Sequence, residues 1–513
     1  MSETFYITTS IYYSNNYLHI GNAYEAVIAD AVARYKRLRG YDVRFMTGMD
    51  EHGQKIEQSA TNLERTPQEH VDYIAEWTKG VMRNLNIDYD VFFRTTSDAH
   101  HAAVKKIFNR LYEIGDIYKD AYEGLYCTPC ETFYTPPQIK DGACPVCEKQ
   151  VQNISEEAYF FKLSKYQDAL IAHIENNPEF ITPAWRANEM LNSFLRPGLE
   201  DLCVSRTSFK WGIPVEFDPN HVVYVWVDAL SNYITALGYE SDNKDLYKKY
   251  WPADVHIVGK DIMRFHTIIW PAILMALGEP LPKQVYGHGW LNFDGKKIGK
   301  SLGNSIDPNE LVEAYGTDAI RYYLLREMPF GQDGNYTTEN LIARINADLA
   351  NDIGNLLSRT VGMIDKYFGG KLPTEQSQTD AGIEFGVLAT TSVKIAESHF
   401  DKMEFDQGLA EIWRIIDRAN KYIDHMEPWK LAKEEDKQSI LAGCLYILTE
   451  SLRIIAILIE PSMPSVPSKI FSQLNLDNSE HKTWDAANQF GLSPKEITIT
   501  KGEVIFPRID VKK

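Results

Sequence analysis

Residues 5–40 read FYITTSIYYSNNYLHIGNAYEAVIADAVARYKRLRG. The run FYITTSI has the β-branched and aromatic content of a buried strand, and residues 22–39 carry a helical pattern that stops at Gly40. Between them lies His19-Ile20-Gly21-Asn22. The next stretch, YDVRFMTGMDEHG, repeats the theme as a strand running into a polar loop. Thr66-Pro67-Gln68-Glu69 then opens another helix, with proline in its first turn. Strand alternating with helix predicts an α/β fold built on a doubly wound, parallel, Rossmann-like sheet. A helix N-terminus in such a fold offers unpaired N–H groups and partial positive charge, which suit phosphate. Gly21 would let a flat base lie against the backbone, and His19 could donate to a phosphate. Taken alone, the tetrad equally fits a satisfied turn histidine before a capped helix.

The chain has 513 residues, which implies about three units at roughly 100–200 residues per domain. The first half of the catalytic α/β domain is expected at 1–116 and its second half at 221–330. Residues 117–220 break the pattern with cysteine, proline and glycine and read as an insertion. Beyond 330 the strands vanish. Residues 338–368, 382–400, 404–426 and 438–459 show helical periods, so 331–513 is expected to be an all-α bundle. The net charge of −18 argues against a nonspecific nucleic-acid coat, though not against local basic patches. No N-terminal apolar run suits a signal peptide, so none is expected. No stretch is expected to be long and apolar enough to span a bilayer; AILIEPSMPSVP is apolar but is cut by prolines, and the cytoplasm is the expected location.

Four of the six cysteines cluster as Cys127-x2-Cys130-x13-Cys144-x2-Cys147. Two CxxC pairs in a long chain point to metal rather than disulfides. Four thiolates close a tetrahedral site of the structural zinc type, with no position left open for catalysis.

Late in the α/β part, KKIGKS follows an Asp294-Gly295 turn. Lys297 and Lys300 could neutralise a triphosphate as charge moves onto leaving pyrophosphate, and Ser301 adds a hydroxyl. Alone this is an ordinary basic loop. Together, an early His-x-Gly-x and a late Lys-x-x-Lys-Ser in one doubly wound fold resemble the class I aminoacyl-tRNA synthetases, with their HIGH and KMSKS signatures. Here Asn22 replaces the second histidine and Gly299 the central serine. The segments YITTSIYYSNNYLHIGN, TGMDEHGQKI, YVWVDALSNYI, GKDIMRFHTIIWPA, GHGWLNFDGKKIGKS and YIDHMEPWKLAK, in that order, resemble the methionyl-tRNA synthetase family over nearly the whole chain.

The resemblance implies formation of methionyl-adenylate and pyrophosphate from methionine and ATP with Mg2+. Methionine would then pass to the 3′-terminal ribose of initiator and elongator tRNA(Met). His19, Asn22, Lys297 and Lys300 would be catalytic, with Gly21, Gly259, Asp261 and Ser301 completing the ATP site. Methionine would be held by Ile11, Tyr13, Asp50, Trp226, Ala229, Leu230, Tyr233 and His288, with Asp50 on the ammonium. Leu230 stands where many relatives have proline. Asn355, Arg359 and Trp429 would read the anticodon, and one zinc would sit in the inserted segment near the tRNA acceptor end. Ending at Lys513, with no C-terminal OB-fold of the kind that dimerises some members, the chain is expected to be a monomer. A cysteine-specific relative would carry zinc ligands beside the signature histidine, and a leucine, isoleucine or valine enzyme would need a far larger insertion. A tRNA-binding relative without catalysis is the non-enzyme alternative.

Overall fold

The computed structural model describes residues 2–127, 132–134, 139, 141–145, 148–293, 295–298, 305–476 and 481–510. Its centre is a six-stranded parallel sheet. The strands are β1 (Thr4–Tyr13), β2 (Asp42–Asp50), β3 (Val91–Arg94), Ile181–Thr182, Val255–Gly259 and Val285–His288. In space the order is β3, β2, β1, Val255–Gly259, Val285–His288, Ile181–Thr182. The order reverses between β1 and Val255–Gly259, and in open α/β sheets ligands bind outside the carboxyl ends of the strands at such a point.

Both faces of the sheet are covered, which is why Tyr6, Ile7, Thr8, Thr9 and Ser10 of β1 are buried one after another instead of alternating between core and solvent. Ile7 points into a core shared with helix α1 (Ile20–Leu38) and the C-terminal bundle. Its neighbour Tyr6 points the other way, into a core with α4 (Asp98–Glu113) and the helix Val225–Thr235. Two further helices, α2 (Gln54–Asn62) and α3 (Pro67–Asn84), connect β2 to β3.

The segment read as an insertion holds a four-stranded antiparallel sheet of Ile117–Cys127, Thr132–Tyr134, Gln152–Phe161 and Leu202–Cys203. The segment is not wholly outside the α/β body. Its Ile181–Thr182 pairs in parallel with Val285 and Tyr286 and forms the sixth strand of the central sheet. Two residues are too short a run for any periodicity to reveal.

In the bundle, Asp380–Phe400, Phe405–Met426 and Gln438–Ile459 are helices, preceded by helical turns from Thr338 to Phe368. The expectation that no stretch is apolar enough to span a bilayer is corrected here. Glu435–Ile459 is long and apolar enough by length and composition. It is a core helix: 89% of that window is buried inside the protein. A helix apolar on all sides needs neighbours on all sides, and the other helices supply them. Arg321, fully buried, joins bundle to sheet domain. It lies 2.6 Å from Asp30 of α1 and donates to the carbonyls of Leu85, Pro461 and Ser462.

Candidate active site

The register of β1 against β2 slips between Thr8 and Ile11, so β1 carries one extra residue just before its carboxyl end. Glu25 of α1, 4% exposed, answers that irregularity. Its carboxylate accepts from the Ser10 N–H at 2.8 Å and the Ser10 hydroxyl at 2.6 Å. His288 Nε2 lies 3.1 Å from the other oxygen. His288 Nδ1 faces the Gly289 carbonyl at 2.8 Å, so both ring nitrogens meet acceptors. Burial opposes charge on this imidazole, but the Glu25 carboxylate outweighs it and raises the pKa above the usual histidine value.

Ser10, Ile11, Tyr13, Asp261 and Ile262 line two adjoining cavities at the switch point, of about 330 and 260 Å3. The smaller is bordered by His19, Gly21 and Asn22 at the start of α1. These residues cap the helix reciprocally. His19 Nδ1 accepts from the Gly21 N–H at 3.1 Å, and Asn22 Oδ1 accepts from the His19 N–H at 3.2 Å. With Nδ1 accepting, the neutral ring carries its proton on Nε2. A Cβ on Gly21 would sit 3.0 Å from His19 Cε1 and 3.1 Å from Nδ1. The space left by that glycine is therefore occupied by the His19 ring folding back on the cap. The expectation of room for a base at Gly21 meets this ring instead.

The rest of the smaller cavity comes from Gly259, Asp261, His288 and Trp290. Gly259 clears room for Asp261, since a Cβ there would lie 2.7 Å from Asp261 Oδ1. That oxygen accepts from Trp290 Nε1 at 3.2 Å. Lys260 braces the corner, with its ammonium 3.9 Å from the Trp290 ring centroid and 2.7 Å from Asp333.

The larger cavity is lined by Asp50 at the end of β2, Tyr13, and Trp226, Ala229, Leu230 and Tyr233 of the helix Val225–Thr235. Trp226 stacks on Phe265 with ring centroids 3.5 Å apart. His266 also lines this cavity. Its Nδ1–H faces the Ile262 carbonyl at 3.0 Å, so Nε2 accepts from the Tyr233 hydroxyl at 2.7 Å. Burial pushes its pKa down to about 4, so the ring is neutral at physiological pH. Behind the wall, the buried Asp228 carboxylate lies 2.7 Å from His52 Nδ1 and 2.8 Å from His100 Nε2. Burial works against its charge, yet the two imidazoles hold its carboxyl well below the usual range. This pairing fixes the wall helix to the loop that follows Asp50.

The model for class I tRNA synthetases of the methionine type matches residues 5–156 and 149–361, and that for the anticodon-binding domain of methionyl-tRNA ligase matches 372–513. The methionine–tRNA ligase of Caldanaerobacter subterraneus subsp. tengcongensis is 56% identical over 513 residues, covering 100% of this chain and 80% of the relative. This chain belongs to the methionyl-tRNA synthetase family. The Clostridium perfringens methionine–tRNA ligase is 55% identical over 511 residues, 100% of this chain and 79% of the relative. The fold superposes on the Mycobacterium tuberculosis methionyl-tRNA synthetase in complex with methionyl-adenylate with a TM-score of 0.94 at 41% identity. The match covers 99% of this chain and 100% of that one. The activity is that of a class I methionine–tRNA ligase: methionine and ATP give methionyl-adenylate and pyrophosphate, and methionine is then transferred to tRNA.

Of the methionine-site residues drawn from the synthetase resemblance, Ile11, Tyr13, Asp50, Trp226, Ala229, Leu230 and Tyr233 line the larger cavity. His288 lines the smaller one. His19, Gly21, Asn22, Gly259 and Asp261 come together around that smaller cavity. Gly299, Lys300 and Ser301 lie outside the described residues, and Lys297 is described only by its backbone in the short strand Lys296–Lys297. Cys127 and Cys144 are buried in one small cluster, while Cys130 and Cys147 lie outside the described residues. In the bundle, Asn355 is exposed, Arg359 pairs with Asp424 at 3.0 Å, and Trp429 is 41% exposed after Pro428. The sequence reading missed Ser10, Lys55, Asn232 and His266 in the larger cavity and Glu25 and Trp290 in the smaller. His266 had one available signal, a histidine within an otherwise apolar run. Glu25 had none, because a glutamate in a helix reads as surface.

Proposed function

We propose that the larger cavity takes methionine and the smaller one ATP. The observation that carries this reading is their shared wall of Ser10, Ile11 and Asp261 at the switch point. That wall brings a carboxylate bound in one cavity to a phosphate bound in the other. Asp50 holds the substrate ammonium. The thioether lies among Trp226, Ala229, Leu230 and the Tyr233–His266 pair, whose mutual hydrogen bond leaves no strong donor for a competing hydroxyl. The methionine carboxylate attacks the α-phosphate in line, and pyrophosphate leaves. His19, with its proton on Nε2, donates to the phosphate under attack, and Asn22 borders the same end of α1. Asp261 accepts from ribose hydroxyls. Lys297, Lys300 and Ser301 meet the β- and γ-phosphates. Mg2+ bound to ATP supplies further charge neutralisation there. Positioning and charge stabilisation carry the rate.

Asn355, Arg359 and Trp429 read the anticodon of initiator and elongator tRNA(Met), by stacking and by hydrogen bonds to base edges. Cys127, Cys130, Cys144 and Cys147 hold one structural zinc in the inserted segment 117–220. Supporting this, Cys127 and Cys144 share a small buried cluster, and the turn after Cys144 is closed by Glu148 N–H to Cys144 C=O at 2.9 Å. Four thiolates suit tetrahedral zinc. Cytoplasmic location follows from the reaction proposed.

Methionine-dependent exchange of pyrophosphate into ATP tests the site. Lys300→Ala is expected to cut exchange strongly and leave methionine affinity nearly unchanged, and equal activity would remove Lys300 from the mechanism. Elemental analysis should find one zinc per chain, absent from Cys144→Ser.

A further inference from the structure

The loop 14–18 joins Tyr13, which lines both cavities, to His19, which lines the smaller one. Tyr17 on this loop is 38% exposed. Its ring centroid lies 4.8 Å from that of Trp77 and 6.1 Å from that of Tyr73, both on α3. Its hydroxyl lies 3.0 Å from the Tyr73 hydroxyl. Tyr73 is 45% exposed, and the Arg65 guanidinium sits 4.3 Å from its ring centroid. Single exposed aromatics are ordinary. Three adjoining rings capped by an arginine, on the loop that borders a reaction site, form a surface suited to a planar partner.

The charges around it permit a nucleic acid despite the acidic chain. The carboxylates of α3 are engaged: Glu69 accepts from the Thr66 backbone and hydroxyl, Asp72 pairs with Arg94, and Glu76 pairs with Lys79. Arg65 is in no ion pair among the described residues and leaves its positive charge to a phosphodiester.

We propose that Tyr17, Tyr73, Trp77 and Arg65 form a stacking shelf for the unpaired 3′-terminal bases of tRNA as they approach the adenylate. Bases in a single strand stack on aromatic rings without regard to sequence, and arginine adds cation–π and phosphate contacts. The shelf rests on the synthetase reading but acts only after adenylate formation, so the two steps separate it from that reading.

The test compares Tyr73→Ala and Tyr73→Phe with the parent enzyme, using tRNA(Met) transcripts with and without the three 3′-terminal nucleotides. Tyr73→Ala is expected to raise the KM for tRNA in aminoacylation about tenfold, with pyrophosphate exchange within about twofold of the parent. Tyr73→Phe, which keeps the ring, should restore the KM for tRNA. The truncated transcript should inhibit parent and Tyr73→Ala with the same Ki. An unchanged KM for tRNA overturns the proposal, as does a Ki for truncated tRNA that weakens in parallel. So does an equal loss of exchange, which would make the cluster a brace for the loop. Absence of exchange in the parent enzyme would instead overturn the synthetase reading.

Discussion

Glu25→Gln keeps the shape of the side chain and removes its charge. The carboxylate has three neighbours: Ser10 N–H at 2.8 Å, Ser10 Oγ at 2.6 Å and His288 Nε2 at 3.1 Å. The amide oxygen of glutamine keeps the two Ser10 bonds but without charge assistance. Hydrogen bonds to charged groups contribute about 1.5–3 kcal/mol against about 0.5–1.5 for neutral ones, so each of the three contacts weakens by about 1 kcal/mol. The amide NH2 can face His288 Nε2 only if that ring is neutral, and this rescue holds the total below the ~3–5 kcal/mol of removing a buried partner outright. The expected loss is about 2–3 kcal/mol. It depends on pH. Because the folded protein raises the His288 pKa, its share of stability is full below the unfolded value near ~6.5 and fades as pH rises through the folded value. Thermal melting of parent and variant at pH 6 and pH 9 reads this directly. The expected drop is on the order of 5 °C at pH 6 and smaller at pH 9. Because Ser10 lines both cavities, the KM for methionine and for ATP should rise together. A melting gap that is flat or widens with pH would refute the charged Glu25–His288 pair, and unchanged KM values would detach Ser10 from substrate binding.

Asn22→His should hold exchange activity within about tenfold, or about 1.4 kcal/mol, because an imidazole nitrogen can replace the amide oxygen that caps the His19 N–H. A far larger loss would mean the pocket depends on the amide. Gly21→Ala presses a Cβ against the His19 ring at 3.0 Å, so the ring must shift by some tenths of an ångström; exchange turnover should fall while methionine binding by isothermal titration stays within about twofold, and full turnover would free His19 from any need for this placement. Burial, followed by the charges of Asp348 and Asp417, raises the Asp352 pKa to about 6. The folded chain holds a proton there that the unfolded chain releases, so stability falls as pH rises between the two values. Asp352→Asn should therefore stabilise the bundle above pH 6, by about 1 kcal/mol after allowance for solvent screening of this half-buried group. Equal denaturation midpoints at pH 8 would contradict it.

Much of the fold could be read from local pattern. β1 announces itself by its β-branched and aromatic content. The bundle helices follow from their period, and Pro67 marks the start of α3. Features set by distant pairing were out of reach. The strand Ile181–Thr182 exists only because Val285–His288 offers it an edge. The buried charges were equally hidden, since Glu25, Asp30 and Asp228 look like surface residues until a serine, an arginine or two histidines close over them. At Gly21 the sequence marks the open position but not the His19 ring that fills it, because a side chain folding onto its own helix start depends on a rotamer. The apolar helix Gln438–Ile459 shows the converse. Its composition alone fits a membrane, and only the surrounding bundle shows where that surface goes.

α1 runs 19 residues, about 28 Å at ~1.5 Å per residue, from His19 at the smaller cavity to the bundle. At its far end Tyr35 donates to Asp401, Lys36 pairs with Asp401 and Arg39 pairs with Glu397. One rod thus has its tip at the smaller cavity and its heel clamped to the region that matches the anticodon-binding domain of methionyl-tRNA ligase. A tilt of only about 2° at the heel swings a lever of this length by about 1 Å at the tip, and a misplacement of that size can cost on the order of a hundredfold in rate. The helix by itself thus spans the distance between the smaller cavity and the bundle, so a displacement at either end is carried along one rigid element rather than through a relay of side chains.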